Sequence, residues 1–248
     1  MIGIDEHDGV AVVRLEHGKV NALDLELLRA FTATMTRLSE ASAIVLTGSG
    51  TVFSAGVDLR RVVNGGPAYG AEFLPALIDA FLAVFDHPRP VVAAINGHAL
   101  AGGCVVAAAC DVRLMSAGTI GLTELLVGVP FPVAALEIMR YAIGPAAATL
   151  ALTGRTMTAA EAQRIGLVDA VVDAGALMAE ALRRAAALGR VPAAVYMMTK
   201  EQLHRPARQA IEAHQPIDDP RATAVWTSPE ALTEMARYLD RLRRRAVD

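Results

Sequence analysis

The sequence predicts an α/β fold, and three observations carry that expectation. Residues 43–47 and 91–95 are short, continuously apolar runs, as in strands of a sheet covered on both faces. Segments with apolar residues at helical spacing separate such runs, and the alternation persists as far as Pro192. Two of the apolar runs lead into glycine-containing turns, Gly48-Ser49-Gly50 and Asn96-Gly97.

In chain order, residues 10–15 read as a strand and residues 18–23 as a connecting loop. Asp24 is an N-cap for a helix whose apolar stripe is Leu28, Phe31, Met35 and Leu38. The strand at 43–47 follows. Gly65-Gly66-Pro67 marks a flexible loop, and residues 73–85 read as a helix stopped by Pro88 and Pro90. The strand at 91–95 runs through Asn96-Gly97-His98 to Gly102-Gly103 and then into a small-residue apolar segment, a buried helix. Residues 112–115 form another short strand. Residues 120–124 follow a turn, and Pro132 opens a helix through Met139. Thr158-Ala159-Ala160-Glu161 is a capping box opening a helix that stops at Gly166. Residues 167–172 are strand-like and 176–188 helical. From residue 193 the chain is helical and charged with no strand signal, and Ser228-Pro229 starts a helix with Leu232, Met235, Leu239 and Leu242 on one face. The expected division is a core over 1–192 and a helical region over 193–248.

The chain has 248 residues, enough for a sizeable core, and a formal net charge of -3, which argues against a nucleic-acid partner. The arginines near the C-terminus read as a solvated helix end. Cys104 and Cys110 fit no zinc spacing and read as buried free thiols in a reducing compartment. The histidines show no ligand spacing, so no metal is expected. No apolar signal segment or uninterrupted membrane-length run is seen, so a cytoplasmic location without a membrane partner is expected. Gly48 and Gly50 begin a GxG, but Phe53 stands at the third position, so no dinucleotide fingerprint is present. No GxSxG occurs.

Ala55-Gly56 and Gly102-Gly103 each lie beyond a buried strand. Small residues let backbone approach a ligand, and a glycine pair at a helix start leaves N–H groups free. Two such groups converging on one oxygen make an oxyanion hole; tight turns use the same residues. The two runs Phe53-Ser54-Ala55-Gly56-Val57-Asp58-Leu59 and 96–104, the latter ending in Cys110-Asp111, resemble the signature regions of the crotonase (enoyl-CoA hydratase/isomerase) superfamily. The resemblance includes Lys19-Val20-Asn21-Ala22-Leu23 and continues through Gly121-Leu122-Thr123-Glu124 and 158–162 to Gly166-Leu167-Val168-Asp169.

The resemblance implies a spiral of ββα units with a C-terminal helical trimerisation region, assembling as homotrimers or paired hexamers. It implies an acyl-CoA thioester substrate, with coenzyme A as part of the substrate and no separate cofactor. It assigns the oxyanion-hole N–H groups to Ala55 and Gly102, and the substrate surface to Ala22, Phe53, Gly56, Val57, Asp58, Leu59, Gly103, Val105 and Phe131. Hydratases of the family carry two glutamates, one directly after the Gly-Gly-Cys run and one where Glu124 stands. Here the first position is Val105, which neither transfers a proton nor holds water. A lone carboxylate suits a proton shuttle from C2 to C4 of a 3-enoyl-CoA. The chain therefore most resembles the Δ3,Δ2-enoyl-CoA isomerase branch of fatty-acid oxidation, with Glu124 as catalytic base. The alternatives are an enoyl-CoA hydratase or other acyl-CoA lyase, and a degenerate acyl-CoA binding subunit. Apolar neighbours should raise the pKa of Glu124. Asp58 and His98 read as structural. Arg60, Arg61 and Lys200 are weighed as phosphate ligands against solvated charge. Tyr141 is a candidate near the acyl pocket, and the segment 65–73 a candidate pocket wall.

Overall fold

A computed structural model describes residues 1–245. The chain opens with a hairpin of β1 (Ile2–His7) and β2 (Val10–Leu15). Asp8 and Gly9 both take positive φ at its tip, as a two-residue hairpin turn requires. The sequence pattern predicts no strand at β1, because four of its six residues are exposed and the apolar alternation is missing. α1 (Leu25–Arg37) follows, and the Asp24 side chain accepts the Leu27 N–H at 2.8 Å.

Three ββα turns then repeat. They are β3 (Ala43–Gly48), β4 (Val52–Ser54) and α2 (Leu59–Phe85); β5 (Val91–Ile95), β6 (His98–Leu100) and α3 (Gly102–Ala108); and β7 (Val112–Met115), β8 (Thr119–Gly121) and α4 (Glu124–Val127). Beyond them lie α5 (Val133–Ile143), α6 (Ala146–Thr153), β9 (Thr156–Thr158), α7 (Ala159–Arg164), β10 (Ala170–Val171), α8 (Leu177–Gly189), α9 (Ala193–Trp226) and α10 (Pro229–Arg245).

The first strand of each turn enters a six-stranded sheet of order β1-β2-β3-β5-β7-β10. The second enters a four-stranded sheet of order β4-β6-β8-β9. The large sheet is parallel from β2 to β10. Successive turns stack closely: a Cβ at Gly97 would lie 1.7 Å from the Thr51 carbonyl oxygen, so only glycine fits that corner. The continuous apolarity of β3 and β5 has a direct cause. On one face Val45 and Val92 pack with Leu177, Ala181 and Ala185 of α8. On the other, Ile44, Leu46 and Ala93 join Phe31 of α1 and Phe81 of α2 in the main core.

Two expectations need correction. Residues 65–67 are not a free loop but lie inside α2, which starts at Leu59 and departs from helical geometry only at Gly66 (φ 64°, ψ -157°). Pro67 can open the second helical stretch because the first-turn N–H it lacks needs no partner. The strand at 167–172 contracts to Ala170–Val171, while Leu167 and Val168 are buried and their N–H groups bond back to the Ala162 carbonyl. By length and composition α2 could cross a membrane; here it is a core helix with Phe73, Phe81 and Phe85 buried.

The tail packs back on the core. Lys200 of α9 is buried, its Nζ 2.9 Å from Asp111 Oδ1, and Asp111 Oδ2 accepts the Val91 N–H at 2.8 Å. α10 lies against α2 and α4.

Candidate active site

The segment after β4 is held by a set of backbone bonds that decides which N–H groups stay free. The Ala55 N–H donates to the Val20 carbonyl at 3.0 Å. The Gly56 N–H donates to Ser54 Oγ at 3.2 Å, and that hydroxyl donates to the Asn21 carbonyl. Leu23 forms a parallel bridge to Val57, donating to the Gly56 carbonyl at 2.8 Å and accepting the Asp58 N–H at 2.9 Å. In such a bridge the central residue's own N–H points away from its partner. The Val57 N–H accordingly has no hydrogen-bond partner among the described residues.

This corrects one expectation. Ala55 cannot supply a free donor, because its N–H is spent on Val20; the free donor of this segment belongs to Val57, two residues on.

The opposing segment is the β6–α3 junction. Ala101 sits at φ 50°, ψ -124°, a strained geometry for a residue with a Cβ. It is pinned there by its N–H to the Gly121 carbonyl at 2.8 Å, while its carbonyl accepts from Cys104 and Val105. The Gly102 N–H, first in the helix, has no partner among the described residues. The two segments touch at Gly56. With φ +81° and any added Cβ 2.6 Å from the Leu100 carbonyl and 3.2 Å from the Gly102 nitrogen, that position must be glycine.

A cleft of about 390 Å³ opens on these two segments. Among the residues expected at the substrate, Ala22, Ala55, Val57, Asp58, Leu59 and Glu124 line it. The others do not. Phe53 and Val105 are fully buried in the core, and Phe131 is packed at its edge. Gly102 lies behind Ala101, which forms the cleft surface. Gly56 and Gly103 serve close packing: a Cβ at Gly103 would meet the Ser54 carbonyl oxygen at 2.5 Å. The segment 65–73 is not part of the wall. Sequence reasoning missed Trp226 at the end of α9, and Tyr238, Leu239 and Leu242 of α10, as cleft residues. The apolar face predicted for the last helix already contains Leu239 and Leu242; nothing marks Trp226 except that it is the single tryptophan.

Glu124 opens α4 and is buried, with 7 % of its surface exposed. Its Oε2 has no hydrogen-bond partner. Burial pushes its pKa from 4.5 to about 7. The cleft's other carboxylate is committed: Asp58 Oδ1 accepts the N–H groups of Arg60 and Arg61 at 3.0 and 3.1 Å as the N-cap of α2.

The cation candidates separate in the same way. Arg60 is exposed at the cleft mouth, Arg61 is paired with Glu26, and Lys200 is buried against Asp111 away from the cleft, so neither the phosphate role nor solvated charge fits it. Tyr141 also lies elsewhere, edge-on to Phe85 and His204. His98 is exposed and pairs with the Thr119 hydroxyl.

The arrangement offers two free N–H groups, one unpaired buried carboxylate and an apolar cleft. The sequence model of the enoyl-CoA hydratase/isomerase family matches residues 5–243. The mitochondrial enoyl-CoA delta isomerase 1 of Rattus norvegicus is 30 % identical over 245 residues, covering 96 % of this chain and 85 % of the relative. A probable enoyl-CoA hydratase of Mycobacterium bovis is 36 % identical over 213 residues, 82 % of this chain and 80 % of the relative. Among solved structures, human mitochondrial delta3-delta2-enoyl-CoA isomerase superposes with a TM-score of 0.92 at 27 % identity, covering 98 % of each chain.

Proposed function

This chain belongs to the enoyl-CoA hydratase/isomerase family and is an acyl-CoA enzyme of the crotonase fold; within the family we propose that it shifts the double bond of a 3-enoyl-CoA to the 2-position. The observation that carries this reading is Glu124, the one buried carboxylate lining the cleft, whose Oε2 has no hydrogen-bond partner.

In this reading the thioester oxygen sits between the N–H groups of Val57 and Gly102. The Glu124 carboxylate removes a proton from C2, and the electron pair of that C–H bond moves into an enolate whose negative charge gathers on the thioester oxygen. The two N–H groups bind that charge more strongly than the neutral carbonyl, so they lower the barrier rather than merely tightening binding. The protonated Glu124 then returns its proton at C4. The C3–C4 double bond becomes C2–C3, and no atom is gained or lost. A pKa near 7 suits a group that must act first as base and then as acid near neutral pH. The reaction needs no cofactor beyond the coenzyme A of the substrate.

The fully buried Val105 supports isomerisation over hydration, because water addition needs a second group to hold and activate water. The similarity to the mycobacterial relative favours hydration as the second reading. A homotrimer, or a hexamer of two trimers, is the assembly we propose; exposed Val195, Met198 and Ile217 on α9 are suited to a subunit contact.

Deuterium transfer tests the shuttle. A 3-enoyl-CoA carrying deuterium at C2, converted in ordinary water, should give a 2-enoyl-CoA that retains part of its label at C4. A product carrying only solvent hydrogen at C4, together with accumulation of 3-hydroxyacyl-CoA, would contradict it.

A further inference from the structure

The residues that line the cleft fall into two unlike groups. In one, Asp58 is half-buried, Arg60 is exposed, and Leu242 of α10 is nearly half exposed. In the other, Val127, Val129 and Trp226 are buried, with exposures of 6, 2 and 2 %. A charged, hydrated coenzyme suits the first group, and an apolar chain the second.

Trp226 is fixed within the buried group. Its Nε1 donates to the Pro130 carbonyl at 2.9 Å, and its ring packs on Phe73 with centroids 6.2 Å apart. Moving the indole would strand a buried N–H and open a void beside Phe73. We propose that Trp226 is the end wall of the acyl pocket and restricts this enzyme to short and medium straight acyl chains. The proposal rests on the acyl-CoA reading of this cleft. The cleft volume of about 390 Å³ fits it, lying at the small end of the 300–1,000 Å³ typical of ligand sites.

An apolar pocket gains affinity with each methylene it buries and loses it once the chain meets a fixed wall. A misfit of one methylene changes binding about tenfold or more.

The test uses saturated straight-chain acyl-CoAs from four to sixteen carbons, whose dissociation constants are measured by calorimetry without turnover. For the wild type, affinity should rise with chain length, reach a limit, and then fall by about tenfold per step. Trp226→Leu should move that limit to longer chains. Trp226→Phe, which keeps a ring in place and preserves the fold, should move it less in the same direction. Affinity that climbs through sixteen carbons in the wild type, or a limit that stays at one length in all three proteins, overturns the end-wall role. Failure to bind any acyl-CoA would overturn the reading of the cleft itself and the end wall with it.

Discussion

The proposed reaction concentrates its chemistry in the Glu124 side chain, whose burial has consequences both for rate and for stability. As the base it must begin ionised, so kcat/KM for a 3-enoyl-CoA should rise with pH through about 7 and level off above it. The stability effect has the opposite direction. Below pH 4.5 the carboxyl is protonated whether the chain is folded or not, and the folded state suffers no penalty. Between 4.5 and about 7 the unfolded chain releases the proton while the folded chain keeps it, so stability falls as pH rises, by about 3 kcal/mol in all. Glu124→Gln removes that dependence: urea denaturation should show the variant gaining on the wild type from pH 5 to pH 8. At the proposed oxyanion hole the discriminating change is to the backbone. Replacing the amide of Val57 by an ester deletes its N–H and should lower kcat about 10²–10³-fold. The same replacement at Ala55 removes a bond to Val20 and should act chiefly on stability. Equal loss of kcat at both positions would return Ala55 to the hole.

The elements hold these groups through contacts that tolerate little change. Gly103→Ala would drive a Cβ to 2.5 Å from the Ser54 carbonyl oxygen, forcing α3 and β4 apart. A loss of about 1–3 kcal/mol is expected in denaturation, with reduced turnover, because Gly102 moves with α3. Lys200→Met breaks the buried ion pair that fastens α9 to Asp111 and should cost about 3–5 kcal/mol while leaving the cleft residues in place. An unchanged midpoint would show the pair to be dispensable. At this scale the sequence was partly legible. Continuous apolar runs marked β3 and β5, Asp24 and Thr158 marked helix starts, and the glycine motifs marked the two segments that border the cleft. The short strands β4, β6 and β8 have three residues each, too few to show a period. The edge strand β1 lacks a buried face, and the break in α2 at Gly66 reads locally as a loop although helix continues on both sides. Which N–H of Ala55, Gly56 and Val57 stays free depends on pairing with Val20, Ser54 and Leu23; Val20 and Leu23 lie more than thirty positions away, and such pairing leaves no local trace.

The whole molecule brings its far end to the candidate site. Tyr238 and Leu239 of α10 lie across the same cleft as Glu124 and Val57, so the helical tail of the chain completes its own site. Ending the chain at Ser228 should leave the ββα spiral folded, with its circular dichroism largely retained. It should weaken acyl-CoA binding, because one wall of the cleft is gone; unchanged affinity would remove α10 from the site. The expected trimerisation role of the tail is separable by sedimentation of the full-length and shortened proteins. The proposed reaction uses one buried glutamate and two free N–H groups to move a double bond rather than to add water. Its most direct measurement is the product formed by the purified protein from a 3-enoyl-CoA, followed by conjugated-enoyl absorbance and by mass, in the wild type and in Glu124→Gln. 2-Enoyl-CoA should be the accumulating product, formed about 10²–10⁴-fold more slowly by the variant. Accumulation of 3-hydroxyacyl-CoA, or undiminished turnover by Glu124→Gln, would contradict it.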